Sequence, residues 1–277
     1  MKNTLLEILN MNINERQQYM VNNGNELLQN MLLHIGHPDD ELRDKLNYRL
    51  FIELLSEQLM TMEQMKQLSL TLYGKDYLYC SIGERHTDTV FTRSFSALWL
   101  SVLLRVDSQL HFLSNEEACH ILEACTPYLI SEMDVRGFVG EEQGWAHAIA
   151  HGADLANAVV SHPSFDVRLA PKLLQGIKDS LWKEAVFVDD EEERLVAIFE
   201  KLMIHDFPEE ILVEWVEQVF DKLQFYLMEV GYTPQYFRAR TNTLHFMKTL
   251  YFTLKFSNKM PQLNGVVSLF IAKWMKQ

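Results

Sequence analysis

Amphipathic helical runs, each closed by a helix-ending signal, follow one another along nearly the whole chain. This recurrence limits the possible folds more than any other feature. Gly36, Gly74 and Gly231 each follow such a run, where a residue at positive φ would end a helix. Thr61 with Gln64, and Ser114 with Glu117, have the spacing of a capping box. Thr233 before Pro234 reads as an N-cap followed by a first-turn proline. Of the seven prolines, only Pro127 falls inside a helical pattern, which predicts a kink there. The segments 77–82 and 186–188 carry the strongest strand-like composition. No hairpin turn joins them, so both read as linkers.

The runs pair in order: 38–57 with 61–73, 88–106 with 114–133, 144–161 with 169–183, 189–204 with 208–230, and 234–256 with 261–276. The first members start near 38, 88, 144, 189 and 234, a spacing of roughly 45–55 residues and slightly above the ~40–47 of HEAT-type repeats. Each pair has one apolar stripe that it cannot hide alone, so neighbours must stack. The expectation is an all-α chain: a HEAT-like α-solenoid of about five helical hairpins over 37–277, with 1–36 as an N-terminal helical cap. The rival all-helical arrangements are a closed α/α toroid and an irregular bundle.

Composition narrows the function. With 48% hydrophobic and 23% charged residues, the 277-residue chain can bury a large core. Its net charge of -13 repels phosphate backbones, and no basic run offsets it, so nucleic acid is not an expected partner. Three cysteines without a Cys-x-x-Cys pair fit a reducing compartment. The first residues lack the apolar core of a signal peptide, and no apolar run approaches the length of a membrane span. These features lead to the expectation of a cytoplasmic protein without membrane contact. Walker-type, dinucleotide-type and Gly-x-Ser-x-Gly motifs are absent from the sequence.

Three segments carry a family resemblance. The first is Gly83-Glu84 with the run 87–98, Thr-Asp-Thr-Val-Phe-Thr-Arg-Ser-Phe-Ser-Ala-Leu. The second is Arg136-Gly137-Phe138 with the run 144–155, Gly-Trp-Ala-His-Ala-Ile-Ala-His-Gly-Ala-Asp-Leu. The third is Phe187-Val188-Asp189 with Glu193-Arg194-Leu195. Together they resemble an uncharacterised bacterial family, domain of unknown function 2785, over about residues 33–256. The resemblance implies a helical, HEAT-like fold. It implies no activity and transfers no functional residues.

One polar constellation stands out. On a helix over 144–160, His147, His151 and Asp154 fall within about 60° of one another, while Trp145, Ile149, Gly152, Ala156 and Val160 take the opposite face. The flanks are mostly alanine, so a helix or a ligand can approach closely. Three explanations compete: a polar helix–helix contact, a binding surface on the solenoid, and a metal site in which His147 and His151 converge with Asp154. The zincin pattern requires glutamate where Ala148 stands, so a hydrolytic site would need its base from Glu84 or Asp88. Asp88 or Thr87 would equally serve as a helix N-cap. Arg93 shares a stripe with Ala97, Leu100 and Leu104, which predicts a partly buried guanidinium paired with Asp154 or Glu84.

The reading is a noncatalytic binding or scaffold protein. Its polar face would be made by Glu84, Asp88, Arg93, Trp145, His147, His151 and Asp154 and offered to a protein segment or small molecule, with no cofactor. The alternative is a metal-dependent, hydrolase-like enzyme holding zinc or a similar ion on His147, His151 and Asp154.

Overall fold

The computed structural model describes residues 1–276, and they form an all-α fold with one small β-hairpin. The helices are α1 (Lys2–Leu9), α2 (Ile13–Leu33), a π-helical segment (Glu41–Tyr48) running directly into α3 (Arg49–Ser56), α4 (Met62–Leu72), α5 (Thr89–Leu110) and α6 (Asn115–Cys125). They continue through α7 (Tyr128–Ser131), α8 (Ala148–Ser161), α9 (Ala170–Ser180), α10 (Glu191–Ile204), α11 (Glu209–Val230), α12 (Pro234–Ser257) and α13 (Pro261–Met275).

Local chemistry explains most boundaries. Thr61–Gln64 and Ser114–Glu117 both form reciprocal capping boxes, and Asn12–Glu15 forms a third. The Thr233 hydroxyl caps α12 by accepting from the Tyr236 amide. Pro127 breaks the chain between α6 and α7 rather than bending one helix, because it supplies no amide for the next turn. Of the three helix-ending glycines, only Gly231 takes a positive φ, +66°. Gly36 is small for a different reason: a Cβ there would overlap Thr92 of α5. The segments 77–82 and 186–188 form no strand.

Helix α5 packs on α8, α8 on α10, and α10 on α12. The partners along the other side meet as α4 with α6, α7 with α9, and α11 with α13. The π segment and α3 join the first row through rings: Phe51 stacks on Trp99 at 3.9 Å, and Tyr48 meets Phe95 edge-on at 6.2 Å. One hydrophobic core runs without interruption from Leu5 to Trp274. Among the described residues, no helix is long and apolar enough to cross a membrane.

The main departure from expectation lies at 138–147. No continuous helix begins at Gly144. Residues Phe138–Gly140 and Gly144–Trp145 pair as antiparallel strands β1 and β2, and α8 starts only at Ala148. Two bonds extend the ladder, from the Ala146 amide to the Gly137 carbonyl and from the His147 amide to the Arg136 carbonyl. Gly144 makes the turn at φ +62°, and the Asp40 carboxylate occupies the space a side chain there would need. Helical periodicity in the sequence continues across this hairpin, so periodicity alone could not reveal it.

Candidate functional site

The hairpin is held by an arginine that the sequence reading passed over. Arg43, in the π segment, is fully buried. Its Nη2 donates to the carbonyls of Gln143 (2.6 Å) and Trp145 (3.2 Å), and its Nη1 to those of His37 and Pro38. The guanidinium lies over Phe91 and Phe95, 4.2 and 4.7 Å from the ring centres. A signal existed: Arg43, Asn47, Leu50 and Leu54 recur with helical spacing on one face, and all are buried. A cation on an apolar stripe needs carbonyl or carboxylate partners.

Anchored in this way, the hairpin delivers Trp145 and His147 to a cleft of about 460 Å³. Its floor is Phe95, Leu98, Ser101 and Val102 of α5. Asp44 and Tyr48 of the π segment, His151 and Asp154 of α8, Arg194 of α10 and Arg105 of α5 also line it. Trp145 stacks on His147 at 4.3 Å, and His147 meets His151 nearly edge-on at 5.8 Å. His147 is not a helical residue. It sits at φ 51°, immediately before α8. Its carbonyl accepts from the His151 amide at 2.8 Å, and the two rings meet although the helix expected to carry both begins only at Ala148.

The hydrogen bonds of the cleft assign roles. Ser94 Oγ donates to the Ala146 carbonyl, so it accepts from His151 Nδ1 at 2.8 Å. His151 therefore carries its proton on Nδ1. Burial pushes its pKa down to about 3, with His147 and Arg194 adding to the effect, so it stays neutral. Ser94 is not a nucleophile in this arrangement, because its proton is bound to a carbonyl. Asp154 pairs with Arg194 rather than with Arg93 or a histidine. Burial raises the Asp154 pKa, and Arg194 opposes the rise. Asp44 and Arg105 belong to no ion pair among the described residues, although burial raises the Asp44 pKa. Burial pushes the Tyr48 hydroxyl up to about 12, helped by Asp44 and Asp154.

Arg93 points elsewhere. It is fully buried, as its stripe predicts, but its partner is Glu132 at 2.6 Å, a residue the sequence reading did not weigh. Its Nη1 donates to the Cys80 carbonyl and to Thr89 Oγ1, each at 2.9 Å. Glu84 reaches it only through its own carbonyl, at 3.4 Å, and through Thr89, whose hydroxyl donates to the Glu84 carboxylate. Glu132 also accepts from Tyr128 Oη and from the amides of Met133 and Asp134. Lys183 donates to the carbonyls of Leu129 and Glu132. This is a sealed seam apart from the cleft.

Glu84 and Asp88 are exposed and do not line the cleft. Asp88 precedes α5 without capping it, and its carboxylate accepts from Gln143 Nε2 instead. The expected polar face thus divides. Trp145, His147, His151 and Asp154 meet, whereas Arg93, Glu84 and Asp88 lie outside. His147, His151 and Asp154 do not converge on one point. The metal-ligating atoms that do lie within 4.8 Å of one another belong to His147, Asp189 and Glu191. In the last hairpin, Asn242 is structural: its side chain accepts from the Phe187 amide and donates to the carbonyls of Leu181 and Ala185.

No curated protein and no solved structure matches the chain. A family model matches residues 78–252, a narrower span than 33–256, which includes both histidines of the cleft, Asp154 and Arg194 but not Asp44 or Tyr48. That match covers well over half of the sequence, so the chain belongs to the family described as a protein of unknown function (DUF2785).

Proposed function

We propose that this protein is a noncatalytic binding module whose cleft takes a small zwitterionic ligand of amino-acid or short-peptide character. The observation that supports this reading is that Asp44 from the π segment and Arg105 from α5 both line the cleft without an ion-pair partner among the described residues, together with the Asp154–Arg194 pair. Two acids and two guanidinium groups balance, which suits a ligand bearing both signs better than a polyanion. Trp145 and Tyr48 offer ring surface for its apolar part. A volume of about 460 Å³ is that of a small-molecule site.

His151 supports binding rather than acid–base catalysis. A histidine held at about 3 has no proton to give near neutrality and accepts one poorly. The scaffold is read as a HEAT-like solenoid, in which the row α3–α5–α8–α10–α12 lines the ligand side. The sequential helix contacts support this reading. A cytoplasmic setting fits the three cysteines, all of them free.

The test is differential scanning fluorimetry of the full chain against amino acids and dipeptides, with native mass spectrometry for any co-purified molecule. A ligand that raises Tm in the wild type and not in Asp44→Asn or Arg105→Ala supports the proposal. A shift that survives both substitutions, or none across the panel, rejects it. Capture only of a longer protein segment would assign the cleft to a macromolecular partner instead.

A further inference from the structure

We propose that His147, Asp189 and Glu191 form a binding site for one divalent transition-metal ion, which would fasten the β-hairpin to the start of α10. Each residue offers a ligand atom, and the three atoms lie within 4.8 Å of one another. Tetrahedral ligands at the usual ~2.0–2.2 Å from one ion lie roughly 3.3–3.6 Å apart, so side-chain adjustments of about 1 Å close this cluster on an ion.

The local backbone builds the cluster. Asp190 takes φ 64° at the start of α10. That turn brings residues 189 and 191 together, and the Glu191 carboxylate accepts from the Asp189 amide at 2.9 Å. On the other side, His147 ends the hairpin at φ 51°. Gly137 of the hairpin leaves room for the Asp189 carboxylate, which a Cβ at that position would overlap. Two segments distant in sequence, the hairpin and the start of α10, therefore converge on one point.

Charge provides an independent argument. Glu191 is only 3% exposed, yet no cationic side chain pairs with it or with Asp189 among the described residues. The nearest arginine in sequence, Arg194, is committed to Asp154. A buried carboxylate beside another acid requires compensation, and a cation provides it. His147 completes the set. Its Nε2 is buried without a hydrogen-bond partner among the described residues. A ring nitrogen that makes no hydrogen bond is free to ligate a metal ion.

The donor set selects the ion. One imidazole nitrogen with two carboxylates favours Zn²⁺ or Mn²⁺ over Mg²⁺ or Ca²⁺, which prefer all-oxygen shells. Three protein ligands leave room for water. Only His147 is shared with the cleft. The inference therefore stands apart from the ligand reading, and the two can fail separately.

The experiment uses the full chain, stripped with a chelator and titrated separately with Zn²⁺, Mn²⁺ and Mg²⁺ by calorimetry and thermal unfolding. The expected result is one Zn²⁺ or Mn²⁺ per chain, with a Tm rise of about 5 °C or more at a hundredfold excess over Kd. Asp189→Asn with Glu191→Gln should weaken binding by more than the roughly 10–100-fold that loss of an outer partner costs. The Tm of that double variant without metal should be unchanged or higher, because a like-charge contact has gone. His147→Gln and Glu191→Gln, tested singly, give the same readout if the double variant does not fold. Arg105→Ala, a cleft substitution that leaves the Asp154–Arg194 pair in place, should leave metal binding intact. The proposal is overturned if neither Zn²⁺ nor Mn²⁺ binds stoichiometrically. It is equally overturned if binding persists undiminished in the Asp189 and Glu191 variants, which would mark adventitious contact with surface histidines.

Discussion

Arg93 and Ser94 are consecutive residues of α5, yet they serve two opposite kinds of polar region. Arg93 enters a sealed seam in which every charge meets a protein partner: Glu132 accepts from Arg93, Tyr128 and two backbone amides. Ser94 supports the cleft through His151, and there, among the described residues, Asp44 and Arg105 belong to no ion pair and His147 Nε2 has no hydrogen-bond partner. Burial works against the Arg93 charge, but Glu132 more than offsets it and keeps the pKa raised. No such compensation reaches His151, which is held neutral. A polar region satisfied from within stabilises the fold and has nothing left to offer. One with unmet charges gains little stability and is available to a ligand.

The largest effect that would break this contrast is expected in the seam. Replacing Arg93 by Met while Glu132 remains strands a fully buried carboxylate and should cost about 3–5 kcal/mol in urea unfolding. Replacing both, as Arg93→Met with Glu132→Leu, should recover much of that loss. A single substitution costing less than the double would show that the seam is not an internally balanced pair.

The next effect concerns pH and the cleft. His151 has a folded pKa of about 3 against 6.5 for the free residue. The unfolded chain therefore binds the extra proton throughout this window. The stability tied to neutral His151 is complete above 6.5 and is lost as pH falls towards 3. The loss by pH 5 is about 2 kcal/mol. His151→Asn should flatten this acid dependence, measured as unfolding free energy at pH 7 and pH 5. An unchanged slope would mean that His151 is not the residue responsible.

The smallest stability effects are expected at Asp44 and Arg105. Asp44→Asn and Arg105→Ala should each change unfolding free energy by no more than about 0.5 kcal/mol, because neither breaks an internal pair. Both should abolish the ligand-induced Tm shift. A larger intrinsic loss would move these residues into the class represented by Arg93.

Much of the fold is legible along the chain because its determinants are local. The Thr61–Gln64 and Ser114–Glu117 boxes form between residues three apart, and the break at Pro127 follows from one missing amide. Arg93 shows where local reading ends. Its burial follows from a stripe shared with Ala97, Leu100 and Leu104, but its partner Glu132 is 39 residues away, past the break at Pro127. The same limit hid the hairpin at Phe138–Trp145, which is anchored by Arg43 about a hundred residues earlier.

The sequence by itself determined that this chain is all-α and where most of its helices start and stop. Those properties depend on dihedral preferences and contacts within a turn or two. Only the tertiary structure decided that Asp154 belongs to Arg194, that Arg93 is sealed away, and that Asp189 and Glu191 bring their carboxylates to His147. A side chain's periodicity shows which way it faces. The partner it meets there depends on how distant segments pack, because charges pair across space rather than along the chain.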